Sequence, residues 1–196
     1  MTGGAQSAVQ ELLPLIISSR DETESQRRLA ARVVEVLRAS RLCRIALPAE
    51  LGELELPPAD ALTIYEQLAG AEASVGWIDW NNVLPSFFGR FFAPKVRAEI
   101  FGDPQSLYAS STRPSGRAAV EGSSFRVNGR WSLVSGCELA DWLALRSVVE
   151  GKGQPRMLGP NVPQVRMVWL KRADVEILDT WYTGGLRGTG SHDVVV

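Results

Sequence analysis

The stretch LYASSTRPSGRAAVEGSSFRVNGRWSLVSGCELADW, residues 107–142, decides the fold. Short runs rich in Val, Leu, Phe and Trp alternate there with Gly, Asn, Pro and Ser, the pattern of brief strands separated by turns. LYASS and RAAVEG are two such runs, with Pro114-Ser115-Gly116 between them as a turn. Asn128-Gly129 divides FRV from RWSLVS. Both residue types accept the positive φ of a tight turn, so a β-hairpin is expected at that point. WLALRSVVE, QVRMVWLKR and VEILDTW continue the pattern, and Asp193 to Val196 reads as one more strand. Gly151 to Pro163, with three glycines and three prolines, reads as a loop. Parallel strands need long crossovers and these connections are short, so the expected pairing is antiparallel.

Working back from this stretch, the composition changes near Phe101-Gly102-Asp103-Pro104, and before it the pattern is helical. Asp21 followed by Glu24 marks a helix start, since Asp accepts from the free amides of a first turn. Leu29, Val33, Val36 and Leu37 recur at helical spacing as one apolar face. Arg27, Arg28, Arg32 and Arg38 fall between them as a solvated face, and the helix is expected to fade over Arg41 to Arg44. LPAELG (47–52) and Pro57-Pro58 form a turn-rich link, with Pro58 opening the next helix. Its expected buried stripe is Leu62, Tyr65, Leu68 and Ala69. Residues 74–92, SVGWIDWNNVLPSFFGRFF, read as a buried helix interrupted near Pro85, which lacks a backbone donor. PKVRAEIFG closes the helical part with Gly102 as its stop. The expected organisation is an α-helical domain over 1–104, then an antiparallel β-barrel or sandwich domain over 105–196.

Bulk properties exclude several functions. With 196 residues the chain can hold one large or two small domains. Its 45% hydrophobic and 22% charged residues are ordinary for a globular protein and unlike a disordered one. A net charge of −1 gives no electrostatic reason to bind nucleic acid. No apolar stretch approaches the ~20 residues of a membrane span. No basic region precedes an apolar run at the start, so no secretory signal is visible. Cys43 and Cys137, far apart, make neither a disulfide framework nor a metal set, and read as reduced thiols of a cytoplasmic protein.

Several motifs together resemble the acyl-CoA dehydrogenase superfamily. LPAELGELEL (47–56) is similar to its Pro- and Gly-containing link, with Glu53 where a second Gly usually stands. EQLAGAEASVGW (66–77) is similar to the helix ending in A-x-x-D-x-S-x-x-W of the hydroxylase branch. Residues 107–142 resemble the flavin-contacting β segment. ILDTWYTGGLRGTGSHDVVV (177–196) resembles the W-x-x-x-G-x-R-G-T-G-S-x-D-V segment of flavin-dependent monooxygenases. The dehydrogenase branch usually has Thr-Glu-Pro after the first β strand, where this chain has Ser111-Thr112-Arg113-Pro114. It also has Leu133 where dehydrogenases often place Trp. Both departures favour the monooxygenase-like branch.

The resemblance implies a helical domain, a β domain and a C-terminal helical bundle, the last absent here. The strand at Asp193 to Val196 is then expected to be the truncated end of the β domain. It implies a flavin, FAD or FMN, held by Tyr108, Ser110 and Ser111 from one strand and Leu133, Val134 and Ser135 from a second. Ser135 is cast as a hydroxyl that donates near flavin N5, and Ser111 as a partner of the pyrimidine edge. Arg187, Thr189 and Ser191 of the glycine-rich loop are cast as donors to the cofactor or its phosphate, and His192 as a base for a phenol. Serines near turns also bond local backbone, and a lone histidine is often structural, so both readings stand for these residues. Trp131 and Trp142 read as packing.

Three functions remain open on this basis. The first is the oxygenase component of a two-component monooxygenase, acting with reduced flavin from a reductase and O2 on an aromatic or apolar substrate. The second is an FAD-dependent dehydrogenase of an acyl thioester. The third is a non-catalytic fragment. The resemblance also implies a homo-oligomer, a tetramer when full length.

Overall fold

A computed structural model of the protein describes residues 2–51 and 53–196, so Gly52 of the LPAELGELEL link lies outside the described residues. Helices come first: α1 (Thr2–Ser18), α2 (Arg20–Gln26), α3 (Ala31–Ser40), α4 (Pro58–Ala71), α5 (Ala73–Ser86) and α6 (Pro94–Phe101). Strands follow: β1 (Tyr108–Glu121), β2 (Ser124–Asn128), β3 (Arg130–Val134), β4 (Trp142–Gly151), β5 (Gln154–Pro155), β6 (Met157–Gly159), β7 (Val162–Pro163), β8 (Val165–Lys171), β9 (Glu176–Leu178) and β10 (His192–Val195). Among the described residues no helix is long and apolar enough to cross a membrane.

The helical half differs from the sequence reading in three places. α1 was not anticipated; Val9, Leu12 and Ile16 fall on one face and are buried. The single helix expected from Asp21 onward is two, because Arg27 takes a left-handed conformation (φ 57°) that ends α2. Leu29, Val33 and Leu37 are buried as expected, whereas Val36 is at the surface. Pro58 does stand in the first turn of α4. The buried face of α4 is Ala61, Ile64, Tyr65, Leu68 and Ala71, while Leu62 and Ala69 face solvent. α5 is only half buried: Val75, Ile78 and Val83 face the core, and Trp77, Trp80 and Leu84 face outward. Helical order ends one residue past Pro85 and continues as a 3₁₀ turn over Phe87–Phe91.

The sheet is not purely antiparallel. β1 and β4 run parallel, from Tyr108 opposite Trp142 to Ala119 opposite Glu150. β2, β3 and the turn after β3 lie between them and supply the long crossover that parallel pairing requires. The other pairings are antiparallel: β2 on β1, β8 and β5 on β4, β7 on β6, and β3 and β9 on either side of β10. Asn128-Gly129 therefore makes no hairpin. β2 pairs with β1 and β3 pairs with β10, and the chain changes sheets at Gly129 (φ 152°). The tight hairpin lies earlier, at Gly122 (φ 59°) between Glu121 and Ser124. Pro114-Ser115-Gly116 is no turn either, but an irregularity within β1 where its register on β4 shifts. Gly116 is needed for packing, since a Cβ there would lie 1.8 Å from the Trp131 ring. The expected loop from Gly151 to Pro163 carries the short strands β5 to β7.

Helices and strands meet at a seam of Leu47, Phe101, Tyr108 and Trp169. Arg44 ties it together from inside. Its guanidinium bonds the Glu53 carboxylate (2.8 Å), the Tyr108 hydroxyl (2.7 Å), the Phe101 carbonyl (2.7 Å) and the Asp103 carbonyl (3.1 Å).

Candidate functional site

A groove of about 240 Å³ opens between α5 and the strands β1 and β3. The outward face of α5 forms one side. Trp77 and Trp80, three residues apart, share that face and are 45% and 43% exposed. Ser110 to Arg113 of β1, with Ser132, Leu133 and Ser135 at the end of β3, form the other side. Apolar walls with a few uncharged polar groups are the usual make-up of a small-molecule site. Leu133 sits at φ 60°, a left-handed conformation uncommon for a leucine. It is half-exposed in the groove, and Val134 is buried behind it in the β core. A wider, mostly apolar recess of about 670 Å³ adjoins and shares Trp77 and Trp80.

Ser135 joins the groove to the loop before β10. Its Oγ accepts from the Trp77 indole N–H at 2.9 Å and lies 2.8 Å from Ser191 Oγ. Ser191 Oγ lies 2.6 Å from Thr189 Oγ1, which donates to the Leu186 carbonyl at 2.9 Å. The loop is held against both halves of the molecule. Gly136 N–H donates to the Thr189 carbonyl at 2.9 Å. Gly188 packs so closely that a Cβ would lie 2.3 Å from the Thr23 methyl of α2. Arg187 donates to the Glu24 and Thr183 carbonyls, both at 3.1 Å. Ser191, Thr189 and Ser135 are thus brought together, whereas Arg187 is committed to anchoring the loop on α2.

His192 faces elsewhere. Its Nδ1 accepts from the backbone N–H groups of Thr180 (3.2 Å) and Trp181 (3.3 Å). Asp179 Oδ1 lies 3.5 Å from the same nitrogen. Two N–H donors already point at it, however, so the neutral ring carries its proton on Nε2, 3.9 Å from Glu138. The ring borders a cleft of about 280 Å³ lined by Arg27, Arg28, Glu138, Arg172 and Asp179, which shares no lining residue with the groove. Across that cleft Arg27 forks onto Asp179 at 2.7 and 3.0 Å. The Arg27 bonds, reinforced by the Tyr182 hydroxyl, hold the Asp179 carboxyl well below the usual range.

Tyr108 is also apart from the groove, its ring sealed in the seam against Phe101 and Trp169. Cys137 is buried behind the groove, where burial pushes its thiol up to about 12. Trp131 is fully buried and donates to the Arg146 carbonyl at 2.7 Å, a packing role as the sequence predicts. The residues missed from sequence are Trp77 and Trp80. Their spacing was visible, but the apolar stretch around them read as buried on all sides.

No protein-family model matches the sequence. The chain is 31% identical over 191 residues to the flavin-dependent monooxygenase oxygenase subunit HsaA of Mycobacterium tuberculosis, covering 97% of this chain and 47% of that protein. It is 31% identical over 176 residues to indole-3-acetate monooxygenase of Pseudomonas putida, covering 89% and 43%. The fold superimposes on the crystal structure of HsaA with a TM-score of 0.90 at 30% identity, over all of this chain and 52% of that one. It also superimposes on XiaF from Streptomyces, solved in complex with FADH2 and glycerol, with a TM-score of 0.91 at 25% identity, covering 100% and 48%. The chain therefore spans about half the length of the curated relatives it matches.

Proposed function

We propose that this chain forms the ring-binding half of a flavin site in the oxygenase component of a two-component monooxygenase. That enzyme hydroxylates an aromatic or similarly apolar substrate with O2, using reduced FMN or FAD from a separate reductase. The observation that carries this reading is the groove between α5 and the β1 and β3 strands.

Its residues suit the ligand. A flavin ring system is a flat, mostly apolar plate with hydrogen-bonding atoms along part of its edge. Trp77, Trp80 and Leu133 offer apolar surface for the plate. Ser110, Ser111 and Ser135 offer neutral hydroxyls for the edge. Arg113 is the one charged residue among those lining the groove, so no carboxylate there opposes an anionic reduced ring. At about 240 Å³ the groove falls just short of the ~300–1,000 Å³ of complete ligand sites, as expected of half a site. When bound, the flavin supplies the electron pair and the activation of oxygen. The chain's own part is to hold the ring, shield one side of it from water with Trp77 and Trp80, and orient its edge. In this reading Val134 backs the groove wall. Tyr108 fixes the origin of β1 through the seam. Arg187 and His192 fix the two ends of the loop that carries Thr189 and Ser191.

The test is stopped-flow reoxidation of photoreduced FMN or FAD by air, with and without the chain. Flavin held by the chain should reoxidise more slowly than free flavin, and Trp77→Ala should remove the difference. Reoxidation at the free rate, together with reduction of bound flavin by an acyl-CoA, would replace this reading with the dehydrogenase one.

A further inference from the structure

β1 parts from β4 over one short stretch, and that stretch borders the groove. Between Ser111, opposite Leu145, and Gly116, opposite Ser147, β1 has four residues where β4 has one, Arg146. A bulge of this kind re-aims a side chain that a regular pleat would carry elsewhere. Three features fix its shape. Arg146 Nη1 donates to the Thr112 carbonyl at 3.3 Å. Pro114 restricts the residue before it, Arg113, to extended backbone. Gly116 closes the bulge against the Trp131 ring. Arg113 is thereby carried to the wall of the groove.

The guanidinium of Arg113 makes no hydrogen bond and no ion pair among the described residues. The other arginines of β1 to β4 are all engaged: Arg117 with Glu150, Arg126 with Glu121, Arg130 with Asp193 and Arg146 with the Thr112 carbonyl. No carboxylate lines the groove with Arg113. The adjoining recess has the opposite character, for its one charged lining residue is Glu66. The two spaces share Trp77 and Trp80, so a second flat ring has room beside a flavin. A negative charge on that second ring is repelled at the recess and attracted at the groove.

We propose that Arg113 is the specificity residue for the substrate, and that the substrate is an aromatic acid whose carboxylate pairs with this guanidinium. This rests on the flavin-site reading above and names the substrate class for it. A planar guanidinium meets a carboxylate with two parallel N–H donors. A carboxylate one or two bonds from its ring stays within a space of about 240 Å³. The phosphate of FMN hangs on a five-carbon chain and lies beyond a ring-sized space.

The experiment is titration calorimetry of the full 196-residue chain at low salt with two ligand pairs: 2-naphthoate against 2-naphthamide, and oxidised FMN against riboflavin. The naphthyl pair differs in charge at nearly constant shape, and the flavin pair differs in the phosphate. The unsubstituted chain should bind naphthoate about fivefold more tightly than naphthamide, the upper end for an exposed charge pair. Arg113→Gln should bring that ratio to one, and Arg113→Lys should keep part of it. Arg117→Gln, a charge lost from the same strand away from the groove, should leave it unchanged. Salt at 0.5 M should shrink it. No preference for naphthoate, or a preference that survives Arg113→Gln, overturns the proposal while flavin binding stands. Arg113→Gln weakening FMN relative to riboflavin, with naphthoate unaffected, overturns it by assigning the guanidinium to the cofactor phosphate. Binding of neither flavin by the unsubstituted chain overturns the flavin reading and this inference with it.

Discussion

Two carboxylates lie buried in the helical half, and their surroundings are opposite. Glu53 sits at the seam with its side chain 4% exposed, and Arg44 meets it at 2.8 Å. Arg44 in turn satisfies two carbonyls and the Tyr108 hydroxyl. Asp79 sits on the inward face of α5, fully buried, and among the described residues no N–H or hydroxyl donor reaches either of its oxygens, only the weakly donating Cys43 thiol standing beside it. Burial pushes Asp79 up to about 7, with the neighbouring Cys43 thiol offsetting part of the rise. The Tyr65 hydroxyl is unpartnered too, and burial raises its pKa. Equal burial thus gives a fixed ion pair in one place and a carboxyl that readily keeps its proton in the other. The number of partners, more than depth, decides which form survives.

The largest expected effect comes from breaking the seam. Glu53→Ala leaves Arg44 buried without its counter-charge, and urea unfolding should show a loss of about 3–5 kcal/mol. A loss below about 1 kcal/mol would mean that the seam does not depend on the pair.

Asp79 comes next, and its effect depends on pH. The folded-state value near 7 lies above the unfolded value of about 3.9. Stability from neutral Asp79 is fully present below the unfolded value and is lost as pH rises toward 7. At ~1.4 kcal/mol per pKa unit, the loss amounts to a few kcal/mol by pH 8. Asp79→Asn should therefore gain stability relative to the unsubstituted chain between pH 5 and pH 8, read from thermal melts at both. A difference that stays constant across that range would show that Asp79 does not titrate there.

The smallest test is one substitution made at two places. Tyr108→Phe removes an acceptor from buried Arg44 and should cost about 1.5–3 kcal/mol. Tyr65→Phe removes a hydroxyl that has no partner among the described residues and should be neutral or stabilising, within about 1 kcal/mol. Equal costs at the two sites would erase the contrast.

Much of this was legible in the sequence, and the gaps have identifiable causes. Helices before strands, the Pro58 start of α4 and most of the strands follow from local pattern. The break at Arg27 does not, because nothing in its neighbours says that its guanidinium will reach Asp179. Glu53 was visible as a departure from the resembling motif, but its partner Arg44 was not. Asn128-Gly129 has the composition of a hairpin turn, yet β2 and β3 are claimed by different partners. Tyr108, grouped with the site serines by motif, turns its ring into the seam instead. His192 was assigned a base's role, but its Nδ1 lone pair is already engaged by two backbone donors.

By itself the sequence determined the order of elements, the apolar faces of most helices and the serine-bearing segments that end beside the groove. These depend on periodicity and turn chemistry, which act over a few residues. Only the tertiary structure decided that β1 and β4 run parallel, that Trp77 and Trp80 stay outside, and that Ser135 accepts. Each depends on atoms far apart in the chain: Ser135 meets Ser191, 56 residues away, and accepts from Trp77, 58 residues away. A hydroxyl's role as donor or acceptor is set by which neighbours can only accept, and folding brings those neighbours together.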